Sequence, residues 1–555
     1  MSKVNFFRHV AYTHFLSLKD VFMIKKLTQA LLALTLVGGM TACDKTLKGV
    51  DEGTTSATGD TYISVAFSTA NPNSPRAAVK EDGSFNSIGE YIGRDKIEDV
   101  NIYMINTRDE SIEVKKFDNT DNFDTNPDGN TNTRDYRTEA WKTTPGEKLI
   151  YVYTNIAGTA IETALDGAHD KASFEAANKV AYALVENGAV KADYAKFDGT
   201  NDIIAMNTVA PETLNVVAGV KKEEAEAATG AKNRTKVTVR RLVAQAAVTS
   251  TAPTYEIKET YKGAETTLAS LGDFKWDVMQ YEQKTFLMPQ PTADGKDALK
   301  VDGCKSPSFD FLPSDDNYTT GAGNATDKYA YRAFNGEEVK TFTRSTKTGT
   351  EKNKEDVTNI VKNPMKFITE TTHQFGGKLA KDGGTSPFTG YRKGNTTYVI
   401  VSAKITPKNW GEGQEDKAGD DLYFGVKDHK FYKELEAAKA ANKVATVPEF
   451  DAPNTPDNVI KYAGGLCYYV AWLNPDAPAE PVKSPILRNN IYHVNITAMK
   501  KLGYSGNPFN PNGDDPKDPD DPTPDPKETL YPVDTYMAVE ISVVNWGVHS
   551  FDQDF

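Results

Sequence analysis

The sequence predicts a mainly β protein: β-sandwich domains with Greek-key connections, and a few short helices. Three observations carry this. The chain has 555 residues, whereas single cores stop growing at roughly 250–300 residues. Apolar residues alternate with polar ones in many short stretches separated by long polar loops. Helical stripes are few, and the composition is rich in Thr, Asn, Gly, Tyr and Val, residues that suit strands, turns and a wet extracellular surface. A hydrophobic content of 39% is enough for ordinary cores.

A net charge of −13 argues against nucleic acid as a partner, since a basic patch would be expected there. It equally disfavours electrostatic attachment to anionic lipid. Three cysteines do not make a disulfide scaffold, and the spacing of Cys304 and Cys467 neither requires nor excludes a bridge.

In chain order, residues 1–22 read as a start extension, because Met23-Ile24-Lys25-Lys26 begins a complete export signal over 23–42. The two lysines form its positive end and 27–38 its apolar run, too short to span a membrane as a helix. Met40-Thr41-Ala42 before Cys43 resembles a bacterial lipobox, with Met40 where Leu is usual. Cys43 is therefore the expected site of lipidation, and its lipid the precursor's attachment to a membrane leaflet. N-terminal sequencing of the unprocessed precursor tests a start at Met23.

Residues 43–76 read as a propeptide carrying the first strand, in which Ile63, Val65 and Phe67 alternate with Ser64, Ala66 and Ser68. Two prolines, Pro72 and Pro75, deny the following segment regular hydrogen bonding. Arg76-Ala77 lies there, where a trypsin-like protease cuts readily if the segment is exposed; an ordinary interstrand turn is the other reading.

Residues 77–250 are the expected first domain. Val100, Ile102 and Met104 mark one strand, Leu149, Tyr151 and Tyr153 another, and Val237, Val239 and Leu242 a last one closing the domain near 250. Phe174, Ala177, Val180, Ala181 and Leu184 form a helical stripe that Asn187-Gly188 is expected to cap. Asp124 to Gly129 matches the first half of a calcium loop, with Asp135 at the twelfth place. Pro127, the shorter Asp135 and the lack of flanking helices favour a solvated loop, so no metal is expected.

Residues 251–506 are the expected second domain, with strands at 398–405, 466–472 and 491–496 and a short helix at about 431–439. The linker 507–534 comes next; its stretch 511–528 holds six prolines and six aspartates, a composition that favours an extended, solvated backbone. In the last segment, 535–555, Met537, Val539, Ile541 and Val543 are apolar at every second position. Two readings stay open: a strand donated to a neighbouring copy, or the final strand of the chain's own last domain.

The sequence shows no catalytic constellation: no HExxH spacing among seven histidines, no Walker loop, no GxGxxG and no GxSxG. Neither an enzyme nor a cofactor is expected. A hydrolase whose two carboxylates leave no sequence signature remains an alternative, as does a monomeric surface lipoprotein that binds glycan or another ligand.

Several blocks identify a family. Ile88-Gly89-Glu90-Tyr91, Tyr391 to Tyr398, Ala471 to Pro475, Arg488 to Tyr492 and Ser505 to Phe509 resemble the major subunit of the minor (short) fimbriae of Porphyromonas, in the Bacteroidetes type V pilus family. The likeness runs from about residue 23 to the end and includes the Asp-Pro tether and last strand. It implies two transthyretin-like β-sandwich domains and a lipoprotein precursor carried to the outer membrane. It further implies that an arginine-specific protease removes the N-terminal segment with the first strand, and that the vacated groove accepts the last strand of another copy. Arg76 is the arginine best placed for the cut, and Arg94 a weaker one. The implied partners are other copies of the chain, anchor and tip accessory subunits, and host or bacterial receptors. The implied role is the stalk of an adhesive surface fimbria used in coaggregation and biofilm.

Overall fold

The structure is a computed structural model that describes residues 61–68, 87–91, 93–118, 124–125, 135–261, 263–288, 290–291, 304–319, 323–375, 388–443, 458–474, 484–511, 525–530 and 537–546. Alternation at Ile63, Val65 and Phe67 becomes the strand Thr61–Ser68. Val100, Ile102 and Met104 lie in Asp99–Asn106, and Leu149, Tyr151 and Tyr153 in Gly146–Thr154. Further along the chain, Tyr398–Pro407, Leu466–Trp472 and Asn490–Met499 are strands as expected. The fold is mainly β, as the β-branched and aromatic content of these segments dictates.

Three sheets organise the chain. The first runs, edge to edge, Ile112–Asp118, Asp99–Asn106, Gly146–Thr154, Met206–Thr208, Arg234–Arg241, Thr61–Ser68, Asp135–Arg137, Asp124–Thr125. It curls on itself, so that Ile63, Val65 and Phe67 meet Val100, Ile102 and Met104 in one buried cluster. The second sheet runs Ser87–Tyr91, Met537–Trp546, Asn490–Met499, Ala244–Ser250, Lys340–Thr341. The third runs Tyr255–Tyr261, Ala264–Met279, Tyr398–Pro407, Leu466–Trp472. The second and third pack face to face: Val248, Tyr492, Val494 and Ile496 meet Leu268, Trp276, Val401 and Tyr469 in a single core.

Two helices, Ala160–Asp166 and Lys171–Lys179, cover the first sheet's other face. Each begins on a side chain that accepts from the first turn, Thr159 for one and Asp170, in a capping box with Ser173, for the other. Their Ile161, Leu165 and Phe174 share a cluster with Tyr103 and Tyr153 and with Ala247, Ile491 and Val544 of the second sheet.

Three expectations need correction. The stripe at Phe174 does not stay helical to Leu184: Lys179 ends the helix and Val180 is extended. Asn187 and Gly188, with φ of 50° and 71°, form the two-residue turn of the hairpin Val185–Glu186 and Ala189–Val190 rather than a helix cap. Positive φ at both central residues is the requirement of a type I′ turn, and Asn-Gly is its favoured pair. Near 431–439, Lys430–Tyr432 is a strand and the helix is Leu435–Ala441. Between Arg234–Arg241 and Ala244–Ser250 the chain passes from the first sheet to the second, where Ala244–Ser250 pairs with Asn490–Met499 and Met365–Ile368.

Candidate functional site

The two ends of the described chain supply the features of interest. Thr61–Ser68 lies inside the first sheet. On one side Ser64 to Ser68 runs parallel to Arg234 to Thr238. On the other it pairs antiparallel with Asp135–Arg137 and Trp141–Thr143. Ile63, Val65 and Phe67 are each 0% exposed, and the Phe67 ring stacks on Tyr136 at 5.0 Å. The strand's polar side chains are also satisfied: Thr61 Oγ1 donates to Val217 O at 2.6 Å and Ser64 Oγ to Ala225 O at 2.7 Å. Removing it would open two unpaired backbone edges around an apolar trough.

Met537–Trp546 lies in the second sheet. It pairs antiparallel with Asn490–Met499 over almost its whole length, and its last residues pair parallel with Ser87–Tyr91. Met537 is buried, and Val539 and Ile541 pack half-buried on the same core. Val543 pairs with Tyr492 and with Ser87, and its side chain lies outside the described residues. Ser542 and Val544 are buried on the opposite face, so towards its far end the strand is covered on that side as well. Within this single chain the tail strand is paired with its own body rather than cut loose. The edge of Asn490–Met499 that the tail covers is an acceptor on the same molecule, always at hand.

Under the tail, His493 sits buried between Thr249 Oγ1, 2.8 Å from Nε2, and Ser542 Oγ, 3.3 Å from Nδ1. Burial, with the nearby charge of Arg344, pushes its pKa down to about 3. Arg344 in turn pairs with Glu540 of the tail. Periodicity carried no signal for these contacts, since a histidine, a serine and a glutamate read simply as the polar positions of strands.

Ser87–Tyr91 stands out in the sequence as a block of family likeness, not as a partner of the tail. Two buried arginines join the first sheet to the segment that leads into the second: Arg241 binds Asp95, at 2.8 Å from Nε, and Asn489 at 3.0 Å, and Arg488 binds Asn207 at 3.4 Å as well as Glu370 at 2.7 Å and the carbonyl of Leu287 at 3.0 Å.

Cys43, Arg76 and Ala77 lie outside the described residues, as does most of the loop between Asp124 and Asp135. Among the described residues no three His, Cys, Asp or Glu gather as a metal site. No described helix is long and apolar enough to cross a membrane. Cys467 is a free, buried thiol, pushed up to about 11 by burial.

Two relatives, each a minor fimbrium subunit Mfa1 of Porphyromonas gingivalis, are 31% identical over 559 residues, spanning 95% of this chain and 99% of theirs. The chain belongs to the minor fimbrium subunit family. A family model described as "Major fimbrial subunit protein type IV, Fimbrillin, C-terminal" matches residues 460–552 of this fimbrial subunit, a stretch that takes in both Asn490–Met499 and the tail strand. Among solved structures, a putative cell adhesion protein from Parabacteroides distasonis aligns over 88% of the subunit and 99% of its own chain, at 11% identity and a TM-score of 0.40. The tip fimbrial protein Mfa3 of Porphyromonas gingivalis aligns over 88% and 100%, at 10% identity and 0.33.

Proposed function

We propose that this fimbrial subunit builds the stalk of an adhesive cell-surface fimbria by exchanging strands between copies. The precursor is exported as a lipoprotein acylated at Cys43 and reaches the outer membrane by that lipid. An arginine-specific protease cuts between Arg76 and Ala77, and Thr61–Ser68 leaves with the propeptide. The tail strand of another copy, through Met537, Val539, Ile541 and Val543, then fills the vacancy. Anchor and tip subunits bound the filament, which serves adhesion, coaggregation and biofilm through host or bacterial receptors.

One observation carries this reading. Thr61–Ser68 is an interior strand with its apolar residues fully buried, yet its only covalent link to the rest of the sheet runs through the segment that contains Arg76. One hydrolysed bond therefore converts a filled sheet into an acceptor. Each of Ile63, Val65 and Phe67 is worth about 1.5–3 kcal/mol when fully buried, so the emptied slot is a strong sink for an alternating strand. Each tail leaves one sheet to enter another, so ladder hydrogen bonds are re-formed rather than gained, and the filling of the slot drives the exchange. Head-to-tail donation does not close on itself and gives filaments.

Arg76 is favoured over Arg94, because the Arg94 guanidinium binds Asp202 at 3.1 Å and lies 4.0 Å over the Phe197 ring. A protease would have to extract it from both.

The test uses full-length precursor treated with trypsin or an arginine-specific protease and analysed unheated by SDS electrophoresis. Wild type gives a ladder of polymers. Deletion of 535–555 leaves monomers, and Arg76→Ala leaves the long, unpolymerised form. A ladder from the deletion variant rejects strand donation, and normal processing of Arg76→Ala moves the cut elsewhere.

A further inference from the structure

By composition alone, 511–528 reads as an extended, solvated tether free of the body from end to end. The contacts at its two ends say otherwise. At the near end, Phe509 is buried, its ring 5.2 Å from that of Trp472, and its carbonyl accepts from Tyr318 Oη at 2.6 Å. At the far end, residues 525–530 dock on the loop at 391–394. Lys393 N donates to Glu528 O at 2.9 Å and Gly394 N to Pro526 O at 2.8 Å. Arg392 and Thr529 form an antiparallel bridge, and Lys393 pairs with Glu528.

Lys527 reaches Asp315 at 2.9 Å, on the same short helix, Asp315–Thr319, that carries Tyr318. Leu530 is 3% exposed, packed with Tyr391 and Trp472. The fit depends on a glycine: a Cβ at Gly394 would lie 2.5 Å from the Cβ of Pro526 and 2.8 Å from Tyr318 Cε2. Tyr318 and Trp472 thus hold Phe509 and border the seat of the far end, so the acidic, proline-rich stretch starts and finishes at one patch.

We propose that this patch, built from Tyr318, Tyr391, Gly394 and Trp472, is a docking site for residues 525–530 that stays closed while the tail is donated. The inference rests on the strand-donation reading above. The donor arm is rooted at Leu530, so its reach is counted from there and not from the start of the acidic stretch. Six residues lie between Leu530 and Met537, so seven steps of fully extended chain at ~3.3–3.6 Å each span about 25 Å at most. That short root holds successive subunits close and at a defined spacing, as a long solvated tether would not.

Two cysteine pairs in the full-length precursor separate the possibilities. Arg392→Cys with Thr529→Cys locks the dock, since antiparallel partners lie about 4.5–5.5 Å apart at Cα, within the ~4.4–6.8 Å that a disulfide spans. Asn495→Cys with Glu540→Cys, which are register partners, locks the tail strand in its own sheet. Thiol titration confirms each bridge, and thermal unfolding confirms that each variant folds.

After protease treatment, the dock-locked protein is expected to polymerise within about twofold of wild type, oxidised or reduced. The tail-locked protein is expected to form no ladder until reductant is added. A dock lock that blocks polymerisation reversibly overturns the proposal and leaves strand donation standing. A tail lock without effect overturns strand donation itself. Where the dock pair does not fold, replacement of 513–523 by a shorter Gly-Ser link is read by electron microscopy: an unchanged subunit repeat supports the rooted arm, and a shortened repeat overturns it.

Discussion

The N-terminal strand and the tail strand are seated differently. Thr61–Ser68 has partners along both edges, and Ile63, Val65 and Phe67 are sealed from solvent. Met537–Trp546 has one long partner, a short parallel one only at its far end, and a middle at Ala538 to Ile541 that is half-open. The first strand is thus the more firmly seated of the two, and the second covers an edge with part of its length half-open. The proposed strand exchange makes use of that asymmetry: a firmly held plug that leaves only after proteolysis, and a donor that can be withdrawn.

The largest expected effect tests the plug. Phe67→Ala removes a fully buried ring and is expected to destabilise the uncut precursor by about 3–5 kcal/mol. After cleavage and loss of the propeptide it should have no effect. Denaturant unfolding of both forms checks this, and an equal loss in each would mean the strand never leaves. Met537→Ala, at the buried root of the tail strand, should cost about 2–3 kcal/mol, near the lower end for such truncations because the neighbouring positions are half-open.

Hydrogen exchange on the precursor gives a direct comparison. Tail amides should exchange before those of Val65 and Phe67, because partial opening draws on the least buried element. The opposite order would remove the asymmetry.

A subtler effect is set by pH. His493 has a folded pKa of about 3, against about 6.5 unfolded. Between those values the unfolded chain binds the proton and the folded one does not. Stability is therefore full above about pH 6.5 and falls on acidification, by about 1.4 kcal/mol per pH unit for a fully coupled group. His373, buried and pushed down to about 4, adds to the same slope. His493→Gln should flatten it and His373→Gln should flatten it separately; a slope unchanged by both would show that neither histidine is buried neutral.

The smallest effect is at the surface. Glu540→Gln breaks the pair with Arg344, in which the two side chains are 41% and 38% exposed, and should change stability by less than about 1 kcal/mol.

Much of the strand pattern was legible because a strand half-buried in a sheet must alternate, and Ile63, Val65, Phe67 and Met537, Val539, Ile541 do so. The pairing partner of each strand was not. Ser87–Tyr91 is five residues with an interior glycine, too short for any period to stand out. Asn187-Gly188 fits a helix cap and a hairpin turn equally well, since both need positive φ. The pairing of Val185–Glu186 with Ala189–Val190 decides between them.

The dock at 525–530 was hidden more deeply. Its proline and charges read as solvated chain, and its seat depends on the missing side chain of Gly394 and on Tyr318, both remote in sequence. For the same reason the buried pairs of Arg241 and Arg488 could not be seen, as their partners lie in other segments.

By itself the sequence determined the long alternating strands and the faces they bury, the absence of a recognisable catalytic motif, and the family through its unusual blocks. Those are local properties: side-chain period, backbone preference and the order of residues. Only the tertiary structure decided that the tail rests in its own second sheet, that the N-terminal strand is an interior plug of the first, and that the acidic stretch returns to the body at Leu530. Strand pairing and docking are settled by contacts between segments far apart in the chain, whose geometry no local pattern encodes.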